Sequence, residues 1–215
     1  MSEIAADVAL DVGFFRRWMT ELAAAVESEC DELTRLDAAI GDADHGINML
    51  RGMRAVLEAV EDLDGSATPG DLLHLVGNSL VTVVGGAAGP LYGTAFRSMG
   101  ASLAPHPIPT LEQLATAVLA GLQGIQRMGA AEPGDKTIVD AWIPASRLLI
   151  DTSNGSVRAA LVEAERAAHE GMLATIPLRA RKGRASYLGW RSQGHQDPGA
   201  TSARLIFASL VRAAT

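Results

Sequence analysis

Asp37, Asp42 and Asp44 put three carboxylates within eight residues, in the run Leu36-Asp37-Ala38-Ala39-Ile40-Gly41-Asp42-Ala43-Asp44-His45-Gly46-Ile47-Asn48. Like charges repel, so three acids crowd together unfavourably unless a positive group lies between them. A hard divalent cation such as Mg²⁺ or Ca²⁺, which is bound through oxygen, is the natural candidate. A solvated helix end rich in acids has the same local appearance. What decides between the two is the chemistry in the rest of the chain.

Four further polar or glycine-containing segments fall at expected helix ends. In Gly85-Gly86-Ala87-Ala88-Gly89-Pro90 the small residues let backbone N–H groups approach an anion at a helix start, or simply let helices pack closely. Gly134-Asp135-Lys136-Thr137 precedes another helix, where Asp135 serves equally well as a plain N-cap. Lys182-Gly183-Arg184-Ala185-Ser186-Tyr187 carries cations that suit phosphates or a solvated basic loop. His195-Gln196-Asp197-Pro198-Gly199-Ala200-Thr201-Ser202 is polar just before the last helix, with Asp197 or Thr201 available as a cap. Taken together, acids for a cation, small-residue helix starts for phosphates and a basic loop add up to a site for a Mg²⁺ nucleotide. The chain has no Gly-x-x-x-x-Gly-Lys-Ser/Thr sequence and no kinase-type glycine loop, which excludes the two commonest nucleotide folds.

The elements that must position these segments are helical. Phe14, Trp18, Leu22 and Val26 recur every four residues, and Met49, Met53, Val56, Leu57 and Val60 mark a second helical face. The pattern predicts helices over about 11–29, 31–40, 69–84, 89–103, 111–128, 137–152, 157–173 and 199–213, with one more carrying the face from 49 to 60. Thr68 with Pro69 opens one of them, Thr110 and Gln113 have capping-box spacing, and Pro144 introduces a kink. Residues 178–198 are basic and aperiodic. Hydrophobic residues make up 48% of the chain but aromatics only 4%, so helices must pack through Ala, Leu, Val, Ile and Met. No alternating β-branched run is present. The expectation is an all-α, up-and-down antiparallel arrangement with residues 1–215 as a single domain. A net charge of −7 argues against nucleic-acid binding, and one cysteine, Cys30, fits a reducing cytoplasm. Residues 1–10 lack the basic start and apolar run of a signal peptide, and the apolar stretches are too short to cross a membrane.

In their order, these segments resemble the nucleotide-binding L subunit of dihydroxyacetone kinase. The residues that carry the resemblance run from Leu36 to Gly46, Gly85-Gly86-Ala87-Ala88-Gly89-Pro90-Leu91-Tyr92-Gly93-Thr94, and Gly134-Asp135-Lys136-Thr137-Ile138-Val139-Asp140-Ala141. The basic loop follows as Lys182-Gly183-Arg184-Ala185-Ser186-Tyr187-Leu188-Gly189, continuing to Gly194-His195-Gln196-Asp197-Pro198-Gly199-Ala200. The resemblance implies a closed barrel of about eight amphipathic helices with ADP or ATP capping one end. It implies that Asp37, Asp42 and Asp44 hold a pair of Mg²⁺ ions and, with Arg184, form the catalytic set. His45, Gly46, Ile47 and Asn48 would lie beside the phosphates or the metal. Ala87, Ala88 and Gly89 would offer backbone donors, and Arg184 would also help hold the phosphates. Gly129, Ile138 and Asp197-Pro198-Gly199 would surround the adenosine.

The resemblance further implies a partner K subunit that holds dihydroxyacetone, and a phosphohistidine protein of the phosphotransferase system that rephosphorylates bound ADP. The alternatives within the family are an ATP-exchanging kinase, a kinase for another ketose such as erythrulose, and a regulatory subunit that binds a transcription factor; a homodimer is also compatible. Three positions depart from the family pattern. Ala43 stands where glycine is usual, which is tolerable where φ stays negative. Ala88 replaces a frequent serine, removing a hydroxyl worth about 1 kcal/mol to a phosphate and favouring exchange over retention. Trp190 takes the place of a common glutamate and either marks a partner contact or tucks back onto the protein.

Overall fold

A computed structural model describes residues 8–215; most of the stretch read as lacking a signal peptide lies outside the described residues. These form α1 (Val12–Ser28), α2 (Cys30–Ile40), α3 (His45–Glu61), α4 (Pro69–Val83), α5 (Ala88–Leu103), α6 (Leu111–Gly129), α7 (Ile138–Asp151), α8 (Val157–Ala174) and α9 (Pro198–Ala213). A 3₁₀ segment, Arg184–Ser192, lies between α8 and α9, and no strand occurs among the described residues. This segment is a departure from the aperiodic reading of residues 178–198. It escapes a periodicity search because its turns are tight and are broken by Gly189, whose φ is 58°.

Local chemistry sets the helix starts. Thr68 accepts from Asp71 N while Asp71 reaches back to Thr68 N, with Pro69 at the first helical position. Thr110 and Gln113 make the same reciprocal pair at α6. At α7 the cap is Thr137, paired with Asp140, and not Asp135. The carboxylate of Asp135 instead accepts from the backbone N–H of Glu132 and closes the preceding loop. Pro144 lies inside α7 without ending it.

Successive helices pack side by side from α3 to α9, and α1 meets both α3 and α9, so eight helices close into a ring with α2 laid against α3 and α9. This is the expected helical barrel. Its interior is filled by Phe14, Phe15, Trp18, Tyr92, Phe96, Trp142 and Phe207, all essentially inaccessible to solvent. The indole N–H of Trp18 donates to the Ile206 carbonyl at 3.1 Å, and that of Trp142 donates to the Val118 carbonyl at 3.2 Å. Both buried indoles therefore keep a partner. Among the described residues no helix is long and apolar enough to cross a membrane.

Small residues bring α4 and α5 together. A β-carbon on Gly77 would lie 2.7 Å from the Gly93 carbonyl oxygen, and one on Gly100 would lie 2.8 Å from that of Gly70. Alanine is the better helix former by about 1 kcal/mol, but here the clash outweighs that preference. Gly77→Ala should destabilise the protein by about 1–3 kcal/mol in urea unfolding. Gly65→Ala, in open space at a turn, should change it by less than about 0.5 kcal/mol. Equal effects at the two sites would refute the packing argument.

Candidate functional site

An up-and-down ring points every second helix the same way, so α3, α5, α7 and α9 all begin at one end of the barrel. That end holds a cleft of about 300 Å³. Its lining comes from the acid loop before α3, the glycine loop before α5, the starts of α7 and α9, and the basic loop at residues 182–185. Each helix start carries unpaired N–H groups and the positive end of a helix dipole, so the four together make this end attractive to an anion.

The acids lie at one of these starts, that of α3. One ligand oxygen from each of Asp37, Asp42 and Asp44 falls within 4.8 Å of the others. Asp37, at the end of α2, is 8% exposed. Its Oδ2 accepts from the backbone N–H of Asp44 at 2.9 Å and of His45 at 3.2 Å. Asp37 thereby does the capping work at α3, and Asp44, which occupies the N-cap position, makes no side-chain bond to the helix. The Asp44 carboxylate is left free for another partner. Gly41 is obligatory here, because a β-carbon would collide with the Asp37 carboxylate. Three carboxylates converging from one short loop, one of them pre-oriented, form an all-oxygen donor set that fits Mg²⁺.

Ala43 does not keep a negative φ. It sits at φ 61°, in the left-handed region, because the turn that swings Asp42 and Asp44 toward Asp37 demands it. The condition under which alanine is easily tolerated is thus not met, and the methyl group bears the strain.

Opposite the acids, Arg184 Nε lies 2.7 Å from Asp42 Oδ2, tying the basic loop to the acid loop across the mouth. Asp197 caps α9, accepting from Ala200 N at 2.7 Å. Burial pushes its carboxyl up to about 7, against the pull of the Ala200 N–H and of Lys136. His45 is held below the usual histidine value, chiefly by burial, with Asp37 and Asp44 opposing. Its Nε2 lies 2.9 Å from Ser202 Oγ, which is 2.6 Å from the Tyr92 hydroxyl. This buried chain locks the starts of α3 and α9 to α5.

Of the residues read as site candidates, Asp37, Asp42, Asp44, His45, Asn48, Ala87, Ala88, Gly129, Ile138, Arg184, Asp197, Pro198 and Gly199 line the cleft. Gly46, Ile47 and Gly89 do not. Gly46 packs against the Cys30 carbonyl and Thr34, Gly89 packs against the Val84 carbonyl, and Ile47 is 57% exposed to solvent. The glycines at these two places serve close helix contact. Lys136 and Lys182 line the cleft as well. Lys182 belongs to the segment whose cations suit phosphates, whereas Lys136 had no role in the sequence analysis. Trp190 does not tuck into the body: it is 67% exposed, with the Arg179 guanidinium 4.8 Å from its ring centre.

Two outcomes follow from this geometry. Glycine at 43 removes a left-handed penalty of about 1–2 kcal/mol and adds about 0.4–1 kcal/mol of unfolded-state entropy. Ala43→Gly should therefore raise stability by roughly 0.5–1 kcal/mol in urea unfolding; a loss would contradict the strained turn. For Asp197 the folded-state value lies above the unfolded one, so its stabilising contribution is complete below about pH 4. That contribution is lost as pH rises toward 7. Relative to Asp197→Asn, the wild type should lose on the order of 1–4 kcal/mol between pH 4.5 and 8. A pH-independent difference would show that burial does not control this carboxyl.

The sequence and the fold both have known counterparts. The family model described as the DAK2 domain matches residues 39–212. The chain is 44% identical over 202 residues to the PEP-dependent dihydroxyacetone kinase, ADP-binding subunit DhaL, of Escherichia coli (strain K12), spanning 92% of this chain and 94% of that protein. It is 39% identical over 194 residues to the PTS-dependent dihydroxyacetone kinase, ADP-binding subunit DhaL, of Lactococcus lactis subsp. lactis (strain IL1403), spanning 90% and 93%. It also resembles the crystal structure of the dihydroxyacetone kinase from C. freundii in complex with AMP-PNP and Mg²⁺, with a TM-score of 0.73 and 25% identity over 99% of this chain and 36% of that one. With matches that span most of its length, the chain belongs to the DAK2 domain family.

Proposed function

We propose that residues 1–215 act as one domain, the nucleotide-binding subunit of a dihydroxyacetone kinase. It holds Mg²⁺ with ADP or ATP in the cleft and passes the terminal phosphoryl group to a small ketose carried by a partner K subunit. The observation that carries this reading is the set of three carboxylates with ligand oxygens within 4.8 Å, at the start of α3, sharing one cleft with the starts of α5, α7 and α9. The relatives named as ADP-binding subunits support the nucleotide, and the C. freundii complex with AMP-PNP and Mg²⁺ supports the metal.

Each residue has a task that follows from its surroundings. Asp37, fixed by two backbone N–H groups, Asp42 and Asp44 are the metal ligands in this reading, which gives them a pair of ions. When bound, the Mg²⁺ nucleotide supplies the phosphoryl group and most of the charge neutralisation its transfer requires. Arg184 adds positive charge at the mouth, where charge develops during transfer. Ala87 and Ala88 line the phosphate side. Gly129, Ile138, Pro198 and Gly199 offer apolar and backbone surface for the adenosine. The acceptor and whatever base it needs belong to the K subunit, so the cleft has only to position and neutralise.

The relatives named as PEP- and PTS-dependent support a phosphotransferase-system protein as the source of the phosphoryl group, and with it a cytoplasmic setting. One observation favours a second reading, in which ATP exchanges freely: Ala88 lines the cleft without a hydroxyl to hold a phosphate. Mass spectrometry of the native protein separates the two. Co-purifying ADP that resists dialysis supports the cofactor mode, and empty protein with fast ATP exchange supports the other. In calorimetry, Asp42→Asn should weaken Mg²⁺-dependent ADP binding a hundredfold or more, about 2.7 kcal/mol. Unchanged affinity in Mg²⁺ would sink the metal assignment.

A further inference from the structure

Lys136 is unusual in three respects. It is 1% exposed. Its φ is 63°, a conformation that residues with a side chain rarely adopt. Among the described residues its ammonium has no carboxylate within salt-bridge range, and its partners are two backbone carbonyls. Nζ donates to the Thr175 carbonyl at 2.6 Å and to the His195 carbonyl. Burying a cation and forcing its backbone into the left-handed region are both costly, and they persist only where the surroundings impose them.

The two carbonyls bracket one loop. Residues 176–194 leave the end of α8 at Thr175 and return at His195, just before Asp197 caps α9. They carry Lys182 and Arg184 into the cleft. A single ammonium thus grips both ends of this loop. Lesser bonds finish the closure. Gly194 N donates to the Ile176 carbonyl at 2.8 Å, Asp197 N donates to Thr175 Oγ1 at 3.1 Å, and Arg181 N donates to the Asp135 carbonyl at 3.1 Å. Closing a loop of this length costs entropy that weak surface contacts offset poorly, whereas a charge-assisted bond at each end offsets it well. Burial lowers the affinity of Lys136 for its proton, while Asp197 and Asp140 nearby support the charged form.

We propose that Lys136 is a positioning residue for the nucleotide site, the clasp that closes residues 176–194 and so sets Arg184 against Asp42 and Asp197 at the start of α9. This rests on the nucleotide reading given above. Removing the ammonium relieves its own desolvation cost, so the helical body should survive, but both carbonyls lose their donor and the loop ends part.

The test is Lys136→Met in the full chain, read three ways: melting temperature, trypsin cleavage between residues 179 and 191, and calorimetry with Mg²⁺ and ADP. The expected result is a melting temperature within a few degrees of wild type, cleavage in that loop faster by tenfold or more, and ADP affinity reduced by tenfold or more. A general loss of structure would instead open sites throughout the chain and collapse the melting transition. Should the methionine variant fail to fold, Lys136→Gln, which keeps a donor amide one atom short of the reach, is read in the same way. Wild-type cleavage and wild-type affinity in a folded variant would overturn the proposal. Failure of the nucleotide reading itself looks different: wild-type protein would bind no ADP in Mg²⁺, while the cleavage measurement would still report on the clasp.

Discussion

Alternation of helix direction around a closed ring is the constraint from which the site follows. Once short connections force neighbours antiparallel, the starts of α3, α5, α7 and α9 have no choice but to share one end. Four helix starts at one end would by themselves create an uncompensated concentration of positive dipole ends and unpaired N–H groups. The chain answers in part with its own carboxylates, Asp37 against α3, Asp140 against α7 and Asp197 against α9. The α5 start, where Ala87 occupies the cap position without a side-chain acceptor, is left open. That is where an external anion is most welcome.

The acid loop shows how one local decision is passed on. Asp37 turns back over the start of α3, which requires glycine at 41 and a left-handed residue at 43, and in doing so it releases Asp44. The same backbone path leaves Asp42 within reach of Arg184 from the far side of the cleft. That ion pair offsets part of the repulsion that three neighbouring carboxylates suffer. The site is assembled from opposed charges in which neither loop is comfortable alone.

Most helices, one capping box and the Thr68 cap were legible in the sequence, because their determinants are local: a four-residue apolar stripe, Thr68 before Pro69, Thr110 three residues from Gln113. Where two local signals compete, tertiary structure decides. Asp135 and Thr137 are both acceptable caps for α7, and Asp140 settles the matter by reaching back to Thr137. Most of the residues that line the cleft lie in contiguous motifs and were visible for that reason, but the packing glycines 46 and 89 look the same in sequence as glycines that line a cleft, since both uses call for a missing side chain. Lys136 was opaque for a different reason. A lysine in a polar loop reads as solvated, and its carbonyl partners lie 39 and 59 residues away. The left-handed backbone at Ala43 was not legible, because the steric preference of alanine is weaker than the demand of the surrounding turn.

The far end of the barrel carries its own consequence. Arg16 donates to the Leu63 carbonyl beyond α3, and Arg17 to the Ala213 carbonyl at the end of α9. The beginning of α1 and the end of α9 therefore sit together, at the pole away from the cleft. A tether joined to either one leaves the mouth clear, and its length affects only how far the barrel can swing toward whatever it serves. The same body is thus equally usable as a freely diffusing piece or as one module on a string, with no change to the residues that line the cleft.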